Sequence, residues 1–394
     1  MPTFVRDSLT RVGYLMIAWF AYLQASPGLV VPHLRDELGL GYLVGGLHIA
    51  AFSSGALIAG SASSWLEGAL GRNRVLWWGA ALLGAGAIGL TAGQSVEQTI
   101  AATLLMGVGG GLVLATAQAA LADHHGPLRT VALTEANVAA SGAYLLLIGM
   151  FSLAAALHAG WRVAILASLL VPVAVWWTHR RSTIDRSSAA EVAGGRLPGA
   201  FWVAALVLVC TTAAEWCIAA WGASFVEDVL TVSTDTAVSL MVGYFGGVLA
   251  GRVLGSRLAR RRDPTVLLAW ALAVALLGFV VLWPAGAPAQ ALVGLALLGV
   301  GIGNLFPLGL SIAVALAPTQ AGAASGRAVA MTSLAVLLAP LLVGTLADAT
   351  SLHAALAVVP VFLGLAASGL LVVRRQARAA DAPTGPRLSE HCRG

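Results

Sequence analysis

Glu215 lies near the middle of a long apolar run, and of all the residues in the chain its type and place point most directly to chemistry. Helical spacing sets Thr211, Thr212, Ala219 and Gly222 on its face, a small and polar stripe unsuited to lipid. An acid at that depth costs about 2.5–3.5 kcal/mol on insertion scales, so it faces a cavity or a partner. Two readings follow: a proton- or substrate-binding group, or a neutral acid tying two helices together. Gln24 and Asn304 lie midway along two other apolar runs. They converge with Glu215 if those three segments line one cavity, and each serves equally well as interhelical glue. Trp216 and Trp221 flank the acid, and Trp19 and Tyr22 flank Gln24, so rings are at hand to stack on a flat solute or simply to pack. Glu135, some six residues into a further run, is a second membrane acid and a candidate for proton relay or for a gate with Arg129.

Other chemistries find little support. The 22 basic residues are all arginine, which removes a P-loop lysine and any lysine for a Schiff base. His124 and His125 are adjacent without acidic or cysteine partners, and Cys210, Cys217 and Cys392 form no ladder, so no metal site or disulfide is expected. Neither HExxH nor GxSxG occurs. The reading is therefore of a protein that is not an enzyme and has no cofactor, with a proton gradient as the suspected energy source.

The elements that must position these residues are membrane helices. Of 394 residues, 59% are apolar and 10% charged, against roughly 45–50% and 25% in a soluble domain. Twelve apolar runs between residues 12 and 374 are long enough to cross about 30 Å of hydrocarbon. The first is too long for a signal-peptide core and is expected to be retained. With both termini cytoplasmic, every arginine but Arg35, Arg162 and Arg252 falls in or beside a cytoplasmic segment, which sets the orientation by the positive-inside rule. The net charge of +5 then records topology and attraction to anionic lipid, not nucleic-acid binding.

The runs repeat. Gly107 to Gly111 reads GVGGG and, 192 positions on, Gly299 to Gly303 reads GVGIG; Arg129-Thr-Val-Ala-Leu-Thr134 returns as Arg327-Ala-Val-Ala-Met-Thr332. Repeated halves are how alternating-access carriers build a site at the bilayer midplane. The expected organisation is a six-helix bundle over 1–178, a charged cytoplasmic linker over 179–197, a second six-helix bundle over 198–374, and a tail over 375–394 with a disordered composition.

Twelve spans in two parallel halves, with arginine-rich turns after the second and eighth, resemble the major facilitator superfamily over nearly the whole chain. Gly71-Arg72-Asn73-Arg74 looks like the end of that family's cytoplasmic motif, and 251–261, with Arg252 and Arg257, is similar to its second copy. Gly160-Trp161-Arg162 is similar to the sequence often found ahead of the sixth span. Gly68 stands where the family aspartate belongs, with Glu67 one place early as a substitute. The stretch from Ala213 through Trp221 looks like bacterial fucose-permease-like carriers, a narrower match.

The resemblance implies an all-α membrane protein of two pseudo-twofold-related bundles, moving a small organic solute across the inner membrane with proton coupling at Glu215 or Glu135. It also implies a cytoplasmic gate drawn from Glu67, Arg72, Arg74, Arg129, Arg252 and Arg257. A lipid bilayer and a small molecule are the expected partners, and a monomer the expected state. Proton-driven efflux of a drug or metabolite is the alternative, and a non-transporting membrane receptor a more distant one.

Overall fold

The computed structural model describes residues 4–179, 197–259 and 261–380. The expected linker and tail fall almost wholly outside them. Among the described residues the chain is helical throughout. The first half holds α1 (Ser8–Leu38), α2 (Tyr42–Leu70), α3 (Arg72–Ala92), α4 (Val96–His125), α5 (Arg129–Ala156), α6 (Trp161–Ala167) and α7 (Leu170–His179). The second holds α8 (Gly199–Leu230), α9 (Thr234–Leu240), α10 (Val242–Leu258), α11 (Pro264–Leu282), α12 (Pro288–Ile302), α13 (Leu305–Ala315), α14 (Ala321–Ala349), α15 (Leu352–Ala355) and α16 (Val358–Ala380). Four spans are broken pairs, α6–α7, α9–α10, α12–α13 and α15–α16, so among the described residues sixteen α-helices make twelve spans. Three of the breaks lie at the fourth residue before a proline: Ser168 before Pro172, Gly303 before Pro307, and Leu356 before Pro360. A proline ring collides with that carbonyl and withholds the amide that would bond it, so the helix yields there. The break at Met241 has no such proline.

Turns are equally local. Gly71 alone joins α2 to α3 at φ +87°, and Gly160 enters α6 at φ +76°, conformations that a side chain disfavours. Asp7, Ser95, Ser233, Asp263 and Ser351 cap α1, α4, α9, α11 and α15 through their side-chain oxygens.

The repeat is written into the packing register. A Cβ on Gly107, Gly109 or Gly111 would strike the Phe52 carbonyl, the Leu83 amide or the Ala56 carbonyl. On Gly299, Gly301 or Gly303 it would strike the Tyr244 carbonyl, the Ala275 amide or the Val248 carbonyl, every partner displaced by the same 192 positions. Lipid offers no hydrophobic drive for helices to associate, so close backbone approach through small residues takes its place. α4 thus seats against α2 and α3 as α12 seats against α10 and α11. These glycines serve packing.

The two halves meet mainly at one end. Call the end carrying residues 4 and 380 the base and the opposite one the far end. At the far end Asp348 of α14 accepts from the Tyr42 and Leu43 amides at 2.7 and 2.9 Å, covering the first turn of α2. Tyr42 also donates to Asp228 at 2.5 Å, Thr234 to Asp36 at 2.9 Å, and His33 lies 3.7 Å from Asp235. Ser152 and Ser239 hydroxyls meet at 2.9 Å, and the α1 backbone at Gly28 presses on Ala219. Toward the base, Thr130, Val131, Thr134, Asn137 and Val138 of α5 are exposed, and a methyl on Gly142, Gly322 or Gly326 would meet nothing within 4 Å. The molecule is closed at the far end and open toward the base.

Candidate functional site

A cavity, partly open to solvent, lies at mid-depth between the halves. α1 contributes Gln24, Ala25, Pro27 and Gly28, α2 contributes Ile49, and α5 contributes Tyr144. The second half supplies Glu215, Trp216, Ala219 and Ala220 from α8 and Tyr244, Phe245 and Val248 from α10. Glu215 sits midway along the 32-residue α8, and the small residues one turn on, Ala219 and Ala220, leave the space beside it. Gln24 faces it from α1, where Pro27 and Gly28 keep the helix slim. The Tyr144 hydroxyl donates to Gln24 Oε1 at 3.5 Å, and the Tyr244 hydroxyl to the Glu215 backbone carbonyl at 3.2 Å. Tyr144 and Phe245 bring their rings to 5.3 Å across the halves, and Phe245 and Tyr244 stand edge to face at 5.0 Å. The chamber is therefore aromatic-walled, with one carboxyl, one carboxamide and two phenols.

Gln24, Glu215 and Trp216 come together here. Trp221, Tyr22, Asn304 and Glu135 do not join them. Trp221 is fully buried between α8 and α14, where its indole N–H donates to the Pro340 carbonyl at 2.9 Å. Tyr22 turns inward within the first half and donates to the Ala164 carbonyl at 2.6 Å. Asn304, at the α12–α13 break, donates its carboxamide N–H to the Gly251 carbonyl at 2.6 Å, over a space that Gly255 leaves open. Asn304 thus supplies interhelical glue, and the rings of Tyr22 and Trp221 pack inside the protein, the competing reading in each case.

Glu135 lies toward the base, away from the cavity. It accepts two bonds from Arg6 at 2.6 and 2.8 Å and one from Tyr14 at 3.0 Å. The same N-terminal segment is held by Asp7 on His124 at 2.6 Å, Thr10 on His125 at 2.8 Å, and Phe4 stacked on His125. The two histidines thus fasten the start of α1 to α4.

Of the candidate gate residues, Glu67 and Arg72 are buried and joined at 3.0 Å, and Arg72 reaches Asp123 at 2.9 Å. That triad ties α2, α3 and α4 within one half. Arg74, Arg129 and Arg257 are exposed at the base. Arg252 departs from the others: it donates to Ser141 of the first half at 2.6 Å. Sequence reasoning did not single out Tyr144, Tyr244 or Phe245. The available signal was that few tyrosines occur, five in all, and that Tyr144 lies far from a span end, where an aromatic belt would explain it. It also did not foresee Glu37, which takes Arg162 at 2.9 and 2.5 Å and Trp161 at 2.8 Å, tying the Gly160-Trp161-Arg162 stretch to the far end of α1.

Comparison with known proteins agrees with this architecture. Residues 13–295 and 204–390 match the family model of the Major Facilitator Superfamily. No curated protein sequence matches the chain. Among solved structures it is similar to a D-xylose-proton symporter at 15% identity, covering 93% of this chain and 96% of that one with a TM-score of 0.77. A bacterial homologue of the human lysosomal transporter Spinster, inward-facing and occupied, superposes at 13% identity, 93% and 96% coverage and a TM-score of 0.76. The xylose transporter XylE from E. coli, in an inward open conformation, does so at 14% identity, 93% and 95% coverage and a TM-score of 0.74.

Proposed function

This chain belongs to the Major Facilitator Superfamily and is a multi-pass membrane transporter, and from that premise we propose that it is a proton-coupled secondary carrier of a small organic solute. The observation that carries the reading is Glu215: a carboxyl at mid-span, lining a chamber to which both halves contribute, in a molecule whose halves are latched mainly at one end. Rocking of one half on the other exposes such a chamber to each side in turn, and an acid there takes up a proton from one side and releases it to the other. The arginine bias supports a cytoplasmic base, so the present arrangement is inward-facing, in the cytoplasmic membrane and with both termini inside. Gating at the base falls to the Glu67–Arg72 cluster and to Arg74, Arg129 and Arg257, which approach the other half when the base closes. Glu135 then holds the entry to α1 and the proton passes through Glu215. The carrier works as a monomer, with lipid and solute as its partners.

The test begins with a thermal-shift screen against sugars, carboxylates, amino acids and drugs, since a ligand of the folded state raises apparent stability. With a bound solute in hand, Glu215→Gln in proteoliposomes abolishes accumulation driven by a proton gradient and leaves solute exchange intact. Undiminished proton-driven accumulation by that variant removes Glu215 from the mechanism. A second reading, proton-driven efflux of an amphipathic compound, is favoured by the lining of Ile49, Tyr144, Trp216, Phe245 and Val248. Altered sensitivity of expressing cells to a compound panel separates it from uptake.

A further inference from the structure

Arg252 is a half-buried guanidinium on the apolar helix α10. Snorkelling would carry it toward the nearby aqueous base. Its side chain goes the other way. In a helix every Cα–Cβ bond tilts toward the N-terminus, and α10 runs from the far end to the base, so Arg252 climbs toward the cavity. Tyr244 and Val248, which line the cavity, lie eight and four residues before it on the same stripe of α10. Its partner Ser141 stands three residues before Tyr144 on α5, one turn below the chamber. Arg252 thus stands one turn to the base side of Val248, the last residue of α10 that lines the cavity.

Among the described residues, one of the five N–H donors of this guanidinium is placed by a hydrogen bond, from Nη1 to Ser141. No ion pair within 4 Å joins it to Glu215 among the described residues, so the chamber's acid does not neutralise this guanidinium. A guanidinium at this depth is costly unless another group completes it.

We propose that this group is the solute itself, a small organic acid whose carboxylate is gripped by Arg252 while its apolar body lies against Tyr144, Trp216 and Phe245. This rests on the transport reading and names its substrate class. A carboxylate matches the planar guanidinium fork with two parallel hydrogen bonds, which a sugar hydroxyl or an amine does not. With the proton on Glu215 and the carboxylate on Arg252, the loaded chamber carries one added positive and one added negative charge, so the pair crosses as a neutral load. Ser141 belongs to the opposite half, so the ligand also sits where the halves touch.

The test uses three probes of one shape: phenylacetate, phenylacetamide and phenethylamine. For the purified full-length chain, phenylacetate raises the melting temperature and binds at least about tenfold more tightly than the amide or the amine. Arg252→Lys keeps the charge, loses the fork and weakens phenylacetate about tenfold or more; Arg252→Gln abolishes its binding. Glu215→Gln binds phenylacetate still, because proton and carboxylate occupy different groups. If Arg252→Gln does not fold, Arg252→Lys and Ser141→Ala decide the matter, the latter keeping phenylacetate affinity within about threefold of the parent. The assignment is overturned if none of the three probes binds, if the amide or amine matches the acid, or if either Arg252 variant binds phenylacetate like the parent. Proton-linked accumulation of an uncharged solute would sink the carboxylate assignment and leave the transport reading standing, whereas proton-driven accumulation undiminished in Glu215→Gln would sink the coupling and leave the Arg252 contact standing.

Discussion

Removing the Asp348 carboxylate should unlatch the far end. Asp348 accepts from the Tyr42 and Leu43 amides at 2.7 and 2.9 Å. Those are two of the N–H groups that the first turn of α2 leaves without an intrahelical partner, at the positive end of its macrodipole. Asp348 lies in the second half and α2 in the first, so the two bonds exist only while the halves are closed at that end. A charged acceptor on a helix N-terminus is worth about 0.3–1 kcal/mol when exposed and up to about 2 kcal/mol when partly buried. Asp348 is exposed, which favours the lower part of that range; the pairing of two short bonds favours the upper. A loss of about 1 kcal/mol shifts the closed-to-open ratio about fivefold, and about 2 kcal/mol shifts it about thirtyfold. Nitroxide labels at Gln94 and Ala287, exposed at the far end of the two halves, report that ratio by pulsed electron resonance once the three native cysteines are replaced. Asp348→Ala should enlarge the long-distance population by about twofold to thirtyfold, and Asp348→Asn, which keeps one acceptor, by less. An unchanged distance distribution in Asp348→Ala would refute the reasoning, because the bonds would then contribute nothing to closure.

Adding a methyl at Gly107 or Gly299 drives it into the Phe52 or Tyr244 carbonyl, so each alanine variant should lose about 1–3 kcal/mol of stability, read as a fall in melting temperature in detergent. Gly142→Ala, where nothing lies within 4 Å, should instead gain about 0.5–1 kcal/mol from helix propensity, and equal effects at all three sites would contradict the packing account. Asp263→Ala removes the cap of α11 and should cost about 1 kcal/mol at neutral pH. The Thr265 hydroxyl, helped by the amides of Thr265 and Val266, holds that carboxyl below the ordinary value of 3.8 against a smaller effect of burial. A depressed folded value means that the stabilisation is present above 3.8 and fades as pH falls through the folded value. The melting-temperature gap between Asp263→Ala and its parent should therefore hold steady from pH 7 to pH 5 and narrow only in stronger acid; a gap that widens in acid would contradict this.

Composition and spacing alone determined that the chain crosses a membrane twelve times in two related halves, because lipid requires long apolar helices and a duplicated register leaves glycines at a constant offset. They also marked Glu215 and Gln24, since polar groups at mid-span are few and expensive. Which face of a span meets which neighbour was decided only by the tertiary structure. In a chain apolar on every side, the helical period that separates core from surface in a soluble protein carries little information. Asn304, Tyr22 and Trp221 each had the depth and chemistry to join the cavity, but a nearby carbonyl, of Gly251, Ala164 and Pro340, took the hydrogen bond instead. Tyr144 and Phe245 reached the chamber from separate halves, and Arg252 turned away from the base toward Ser141 because of the direction in which α10 runs. Local sequence sets the length and depth of a helix, whereas its rotation and its partners follow from backbone approach among all the spans at once.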